Sequence, residues 1–280
     1  MLISPYLIVS AMDPLMIAGL LILGVLAGIL GTLFGVGGGI IFIPVLTIVY
    51  GLTATEAAAV SLIGIIATST SATAFYLQKR VTNIRLGLLL EISTAIGAMV
   101  GAFISAYIQD WVLMVIFAIV ILISALRMVV DKKKEIFSEE GEFTYHDLKK
   151  DKDMNYDVKN IKSGFAACSI AGVVSSMTGV GGGVIKVPIM NLHMGIPIKA
   201  AMATSNYMIG ITAFSGAIVY FLNGHVLLDV AAFVVIGAFL GSLVGKHISK
   251  FVDGPSLKKY FSVLLIFIAV IMLLQAGGVL

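Results

Sequence analysis

Two glycine-rich stretches decide the fold of this 280-residue chain. The first reads Gly35-Val36-Gly37-Gly38-Gly39, and the second reads Gly179-Val180-Gly181-Gly182-Gly183, 144 residues later. Each follows a long apolar segment and precedes a short one. Three consecutive glycines interrupt a helix, because each costs about 1 kcal/mol relative to alanine. The sequence therefore predicts two broken helices at matching positions.

The composition indicates that most of the chain lies in lipid. Hydrophobic residues make up 59% and charged residues 12%, whereas soluble domains carry about 25% charged residues. Residues 131–162 alone hold nine of the 15 acidic and eight of the 18 basic residues. This composition excludes a soluble enzyme. The net charge of +3 is too small to indicate a nucleic-acid binder. The chain has one cysteine, Cys168, which excludes a disulfide scaffold. Residues 1–12 lack the basic region of a cleavable signal, so we expect them in the mature protein.

Around the glycine stretches, the same five apolar segments occur twice. Segments A to E cover about 15–34, 40–50, 56–77, 86–107 and 112–130, and A′ to E′ cover about 162–178, 184–194, 198–222, 227–249 and 257–276. Segments C, D, E and their mates approach the ~20 residues that a membrane-spanning helix needs. Segments B and B′ are too short to cross comfortably.

The two sets are copies of one another. A shift of 144 residues gives 23 identities in the 82 positions from 24 to 105, with no insertion. The matches include Ser61 with Ser205 and Tyr76 with Tyr220. Apolar bias alone would match scattered Leu, Ile and Val, so the pattern indicates an internal duplication.

The distribution of basic residues predicts that the two copies are inverted in the membrane. The C–D loop carries Lys79, Arg80 and Arg85, whereas in the second half the bases surround the D′–E′ loop. Basic loops face the cytoplasm, so the C–D loop and the D′–E′ loop lie on the same side of the membrane. This is possible only if segments A and B of each half form a hairpin, which gives each half an odd number of membrane crossings.

We therefore predict an all-α polytopic membrane protein built from two inverted repeats. Each repeat has three full spans and a glycine-tipped hairpin, with about 8–10 transmembrane segments in all. The predicted division is a first repeat (1–130), a cytoplasmic charged linker (131–161) and a second repeat (162–280), with both termini on the non-cytoplasmic side of the cell membrane. For the linker, a solvated loop is favoured over a regulatory or docking segment.

The glycine tips predict an anion site near the membrane midplane. A nucleotide-binding loop is the soluble alternative, but no βαβ unit surrounds the tips. Broken helices in inverted repeats are typical of transport sites, and the first N–H groups of B and B′ would favour negative charge. The predicted substrate contacts at the tips are Gly37, Gly38, Gly39, Gly181, Gly182 and Gly183.

Polar residues beside the tips complete the predicted site. Lys186 follows the second tip. Its side chain could contact the substrate or snorkel to a membrane interface, and substrate contact is the favoured interpretation. Ser61 is a candidate contact, although its hydroxyl more readily bonds its own helix, and Thr204, Ser205 and Asn206 are balanced between the two roles. No cofactor is expected, and no Cys, His or carboxylate cluster has the spacing of a metal site.

Two further carboxylates receive structural interpretations. Glu56 with Thr53 matches a capping box at the start of segment C. Glu91, in segment D, is interpreted as snorkelling to the cytoplasmic edge, with proton coupling as the alternative.

The sequences 31–44 (GTLFGVGGGIIFIP) and 175–188 (SSMTGVGGGVIKVP) resemble the sulfite exporter TauE/SafE family of membrane permeases. The resemblance covers the transmembrane part of the chain. It implies transport of small anions, such as sulfite, sulfonates or related organosulfur and carboxylate compounds. Our main hypothesis is a secondary anion transporter that works by alternating access. An anion channel and, with less support, an intramembrane enzyme are the alternatives.

Overall fold

The computed structural model describes residues 13–105, 107–130 and 141–276. The expectations for residues 1–12, for the first ten residues of the linker and for the extreme C-terminus fall outside these ranges. The helices are α1 (Pro14–Phe34), α2 (Gly39–Ile48), α3 (Ala54–Gln78), α4 (Ile84–Ser105), α5 (Asp110–Val130), α6 (Ile161–Thr178), α7 (Gly183–Pro188), α8 (Ile198–Leu222), α9 (Leu228–Ile248) and α10 (Gly254–Ala276).

These helices follow the predicted apolar segments, A to E as α1–α5 and A′ to E′ as α6–α10. Among the described residues, five helices (α1, α3, α4, α8 and α9) are long and apolar enough to span a membrane. Helices α5 and α10 have 21 and 23 residues, which corresponds to about 31–35 Å. The prediction of a mostly helical, polytopic membrane protein is confirmed.

Local capping fixes where several of these helices begin and end. At the start of α3, Thr53 and Glu56 form the predicted capping box, with each side chain bonded to the other's backbone N–H. Helices α1 and α6 both end at a glycine in the left-handed conformation, Gly35 and Gly179. Because that conformation is unfavourable for other residues, glycine is the residue that stops each helix at the same point.

The chain reverses direction at each glycine stretch. Helix α2 returns along α1, so that the Tyr50 hydroxyl just beyond it donates to the carbonyl of Met16, 3.3 Å away. In the second half, a single turn of π-helix (Ile189–His193) extends α7, and the Lys159 N–H donates to the carbonyl of Met194 at 2.9 Å. Each half therefore starts with a helical hairpin, as predicted.

Helices of one half pack against helices of the other, and their directions follow from glycine contacts. Helix α1 runs parallel to α9, because Gly237, Gly241 and Gly245 lie against successively later residues of α1. Helices α4 and α6 pair in the same parallel way. The central helices α3 and α8 run antiparallel: Leu62 lies near Gly216, and Ser69 near Gly210.

The described part of the linker differs from the prediction of a solvated loop. It folds into an antiparallel β-hairpin of β1 (Phe143–Asp147) and β2 (Lys152–Tyr156). Tyr145 and Tyr156 are buried against the helices. The loop prediction was wrong because it was based on the large number of charged residues in the linker. It overlooked the alternation of aromatic and polar residues in 143–147, which is typical of a β-strand.

Specific contacts attach this hairpin to the loop between α3 and α4 and to the start of α8. The His146 N–H donates to the carbonyl of Arg80 at 3.0 Å, and Asn83 Nδ2 donates to the Tyr156 hydroxyl at 2.9 Å. Lys199 Nζ donates to Asp147 Oδ1 at 2.9 Å, in a pair that is almost fully buried. The linker is therefore a docked cap on one end of the helical bundle.

Candidate functional site

The two glycine stretches have the same backbone conformation. Gly35, Gly37 and Gly38 have φ of 70°, 72° and 91°, and Gly179, Gly181 and Gly182 have φ of 71°, 79° and 81°. These values lie in the left-handed region, which other residues enter at a cost of about 1 kcal/mol or more. We call residues 35–39 the first corner and residues 179–183 the second corner.

The two corners touch each other in the centre of the molecule. A methyl group on Gly39 would collide with the backbone of Val180, and one on Gly183 would collide with the backbone of Gly35 and Val36. These are the same contact related by the 144-residue repeat. Glycine at both positions is therefore required for the corners to meet.

Each corner is held by a serine from the opposite half. Ser61 Oγ donates to the carbonyl of Gly179 at 2.7 Å, and its mate Ser205 Oγ donates to the carbonyl of Gly35 at 2.6 Å. Both serines are fully buried. The interpretation that Ser61 bonds its own helix is wrong, because the left-handed glycine turns its carbonyl toward the neighbouring helix.

The neighbours of Ser205 also have identified partners. Thr204 Oγ1 accepts from the backbone N–H of Asn83 at 3.0 Å, which ties α8 to the loop before α4. Asn206 Nδ2 donates to the carbonyl of Thr32 at 2.9 Å, next to the first corner. Its Oδ1 is buried without a hydrogen-bond partner.

Apolar side chains cover part of both corners. Methyl groups on Gly37, Gly39 or Gly181 would all meet the side chain of Ile65, and Gly37 also faces its repeat mate, Ile209. Gly38 faces Ala27 of α1. Of the six predicted glycine contacts, Gly182 is the one whose missing side chain would meet atoms of polar and charged side chains.

Those atoms belong to Ser175 and Lys186. A Cβ on Gly182 would lie 3.1 Å from Ser175 Oγ and 3.2 Å from Lys186 Cε. Ser175 Oγ and the neighbouring Ser176 Oγ are buried and have no hydrogen-bond partner. Unpaired buried hydroxyls are unfavourable unless a ligand or water completes them, so this side of the second corner has the chemistry of a binding site.

Lys186 is fully buried and paired with Glu91. Its Nζ donates to Glu91 Oε2 at 3.0 Å and to Thr212 Oγ1 at 2.6 Å, and the Thr212 hydroxyl contacts Glu91 Oε1. Glu91 is 2% exposed. Snorkelling is therefore wrong for both charges, because each side chain turns inward to the other instead of reaching toward an interface.

This pair lies well inside the bundle. Glu91 is the eighth residue of α4, which places it about 10 Å along that helix. Lys186, Glu91 and Thr212 come from α7, α4 and α8. Three helices thus converge on one buried ion pair.

Sequence reasoning missed Glu91, Thr212 and Ser175 as members of this group. A signal was present: the repeat mates of Lys186 and Glu91 are Phe42 and Val235. Two opposite charges that both depart from the repeat, one in each half of the fold, are candidates for a pair. Nothing in their spacing of 95 residues shows that they meet, because that contact joins helices from different repeats.

Comparison with known proteins agrees with this architecture. Residues 20–272 match the family described as sulfite exporter TauE/SafE. The chain belongs to the TauE/SafE family. A probable membrane transporter protein of Bacillus subtilis, YunE, is 27% identical over 257 residues, covering 89% of this chain and 94% of the relative. A probable membrane transporter protein of Methanocaldococcus jannaschii is 25% identical over 271 residues, covering 91% and 94%. No solved structure matches the chain.

Membership of the TauE/SafE family identifies the chain as a multi-pass membrane transporter. The family match includes both corners and the ion pair. In the part of the chain that the structure describes, no three His, Cys, Asp or Glu side chains are grouped so as to hold a metal ion.

Proposed function

We propose that this protein is a secondary transporter that moves a small anion across the cytoplasmic membrane by alternating access. Sulfite, a sulfonate or a related organosulfur or carboxylate anion is the proposed substrate class. The observation that carries the proposal is a lysine, Lys186, buried beside two unwound helix corners inside a membrane protein. The family match adds the expectation of a sulfur oxyanion.

Charge supports an anion as the substrate. An isolated lysine inside a membrane is costly, by about 2.5–3.5 kcal/mol on insertion scales. The repeat mate of Lys186 is Phe42, which is also fully buried, so the fold itself does not need a charge at this position. A buried cation that the scaffold does not require is typical of a functional site.

Unsatisfied hydroxyls support a substrate with several oxygens. Ser175 Oγ is unpaired and lies beside Gly182 and the Lys186 side chain, whereas the unpaired Ser176 Oγ lies beside Gly216 of α8. The Ser175 hydroxyl and the ammonium group together match the acceptor oxygens of a sulfite or sulfonate group. Within the predicted site, Lys186 and Gly182 are the proposed contacts at the second corner. Ser61, Ser205 and Thr204 hold the surrounding backbone.

The arrangement of helices supports an inverted pair of repeats. The repeat mates α3 and α8 run antiparallel, which two halves with opposite orientations require. The linker hairpin contacts the α3–α4 loop, the start of α8 and, through Lys149 and Asp253, the α9–α10 loop. These loops carry the basic residues, so we propose that this end of the bundle is cytoplasmic.

A matched pair of apolar residues supports alternating access. Ile65 and Ile209 are repeat mates, are fully buried and cover Gly37 from the two central helices. In an inverted repeat, exchanging the conformations of the two halves exposes the same site to the opposite side. Movement of Ile65 and then of Ile209 would expose the corners first to one side of the membrane and then to the other.

Uptake by purified protein in liposomes tests the proposal. We expect saturable uptake of at least one anion among sulfite, thiosulfate, methanesulfonate, sulfoacetate and small carboxylates. Lys186→Gln should reduce that uptake about 10- to 100-fold, because it removes a charge-assisted contact of about 1.5–3 kcal/mol. Lys162→Gln, which removes an exposed lysine of α6, is the control and should leave uptake unchanged.

Three outcomes would contradict the proposal. If no anion of the panel is taken up, the chain is not a transporter for this class. If Lys186→Gln and wild type transport equally, Lys186 is not part of the site. If uptake does not saturate, the protein is an anion channel.

A further inference from the structure

Of the charged side chains that the structure describes, Glu91 and Lys186 are the two buried among the membrane helices. Their charges cancel, so the empty site is neutral. A singly charged anion at Lys186 would leave a net negative charge among helices. Burying one uncompensated charge costs several kcal/mol, so anion binding is favoured when a second change restores neutrality.

A proton on Glu91 removes that cost. We infer that Glu91 takes up one proton each time an anion binds at Lys186, so that anion and proton cross the membrane together. This inference rests on the proposed function and names its coupling ion. The empty site carries Lys186 ammonium with Glu91 carboxylate, and the loaded site carries Lys186 ammonium with the anion and a neutral Glu91 carboxyl group.

Thr212 provides the hydrogen bond that this exchange needs. Its hydroxyl oxygen accepts from Lys186 Nζ, and two acceptors lie within its reach, Glu91 Oε1 and the carbonyl of Met208 at 3.2 Å. When Glu91 is ionised, the hydroxyl donates to the carboxylate. When Glu91 is protonated, the carboxyl O–H donates to Thr212, whose own proton turns to Met208.

The other groups around Glu91 can keep their charge state during this exchange. Lys186 faces it from α7, and the Cys168 thiol and the Tyr207 hydroxyl interact with it electrostatically from α6 and α8. Thiols and phenols lose their protons near pH 8.5 and 10 in water. Of these neighbours and Glu91, it is the Glu91 carboxylate that pairs with the Lys186 ammonium group, so Glu91 is the group assigned the proton.

The ion pair also sets a condition for anion binding at Lys186. A permanently ionised Glu91 competes with any anion for the ammonium group. Protonation ends that competition, and the unpaired Ser175 hydroxyl beside Gly182 then offers a second donor to the anion. Proton binding and anion binding each favour the other, as linkage requires.

Proton counting in liposomes tests the inference. Methanesulfonate is the anion of a strong acid and keeps its single negative charge at neutral pH, so any accompanying proton is carried by the protein. With an internal pH dye, wild type should take up one proton per anion. The affinity for the anion should weaken about tenfold per pH unit over the range in which Glu91 is ionised in the empty protein.

Glu91→Gln keeps the shape of the side chain but removes its ability to bind and release a proton. It should bind the anion with an affinity that does not change with pH, and any uptake should proceed without protons and generate a membrane current. Glu56→Gln, which changes a partly buried capping carboxylate at the start of α3, is the matched control and should still take up one proton per anion.

The results separate this inference from the proposed function. Wild-type uptake without protons, or Glu91→Gln uptake with one proton per anion, overturns the role of Glu91 while leaving the transporter intact. Unchanged uptake by Lys186→Gln overturns the proposed site instead. If Glu91→Gln fails to fold because Lys186 loses its partner, the wild-type proton count still decides the question.

Discussion

The two corners share a frame and differ in their chemistry. At both, a left-handed glycine ends a helix, a serine from the opposite half holds that glycine's carbonyl, and a tyrosine bonds the carbonyl three residues earlier, Tyr76 to Thr32 and Tyr220 to Ser176. Three residues after the first corner stands Phe42, whereas three residues after the second stands Lys186. The repeated residues build the frame, and the unmatched ones supply the charge.

This difference shows how a duplicated protein acquires a site without losing its fold. The partner of Lys186 is equally unmatched, since Glu91 corresponds to Val235. A lone charge on either half would be destabilising, because removing one member of a buried pair costs about 3–5 kcal/mol. The two charges therefore depend on each other, whereas the frame depends on neither.

Alanine at the contact between the corners should have the largest effect, and the effect should be equal in the two halves. Gly39→Ala and Gly183→Ala each drive a methyl group into the backbone of the opposite corner. We expect each to destabilise the protein by about 3 kcal/mol, the upper end of the range for overpacking. Thermal unfolding in detergent measures the loss.

Gly195→Ala is the control for that prediction. Gly195 has φ of 77° but has open space around its missing side chain, so its replacement should cost only the backbone strain of about 1 kcal/mol. Equal melting temperatures for Gly183→Ala and Gly195→Ala would contradict a contact between the corners.

Removing the serines that hold the corners should have a smaller effect. Ser61→Ala and Ser205→Ala each leave a buried glycine carbonyl without its partner. A cost of about 1–2 kcal/mol is expected for each, because an unmade buried hydrogen bond is unfavourable. The same unfolding measurement applies, with Ser215→Ala as the control, since Ser215 is only partly buried and bonds its own helix.

The serine variants also sharpen the comparison between halves. Similar losses of stability, with anion uptake retained in both, would agree with a purely structural role for this pair. A much larger loss of uptake in one of them would mean that its corner contacts the substrate directly.

The smallest effect is expected at the linker, whose contacts with the two halves differ. The hairpin bonds to the α3–α4 loop, whereas the matching loop at 223–225 makes no such bond to the residues that the structure describes. Lys199→Met removes the ion pair with Asp147. It should speed hydrogen exchange of the His146 N–H while changing the global free energy of unfolding by less than about 1 kcal/mol, because the hairpin can undock and return the unpaired Asp147 carboxylate to water while the helices stay packed.

The same contact should depend on pH only in acid. Burial raises the pKa of Asp147, but the hydrogen bond from Lys199 and the N–H groups of Lys149 and Lys150 outweigh it, so the pKa lies below its ordinary value. A lowered pKa contributes stability that is complete above the unfolded value of about 3.9 and is lost as the pH falls through the folded value.

Hydrogen exchange of the hairpin should therefore be insensitive to protonation of Asp147 between about pH 5 and pH 8, once the intrinsic rate is corrected, and should rise below about pH 4. Lys149→Met is the control, because its contact with Asp253 is 3.8 Å long and exposed. If Lys199→Met exchanges as wild type does, the buried ion pair does not hold the hairpin.

Much of the fold could be predicted because the length of an apolar segment and the position of a glycine break are properties of short stretches of sequence. Apolar length fixed the bounds of the spanning helices to within a few residues, and the three glycines of each tip fixed where the chain turns. The linker hairpin was not predicted, because its stability comes from Tyr145 and Tyr156 packing on distant helices. Glu91 was misinterpreted for a similar reason, since its partner lies 95 residues away.

By itself, the sequence determined that the chain is a duplicated membrane protein with two matching glycine breaks, because hydrophobicity, repeat identity and backbone strain are properties of short stretches. Only the tertiary structure decided that the breaks touch, that serines bridge them and that Lys186 is neutralised by Glu91. Those contacts join residues of different halves, and they form only when the helices have packed and no water remains to solvate the charges.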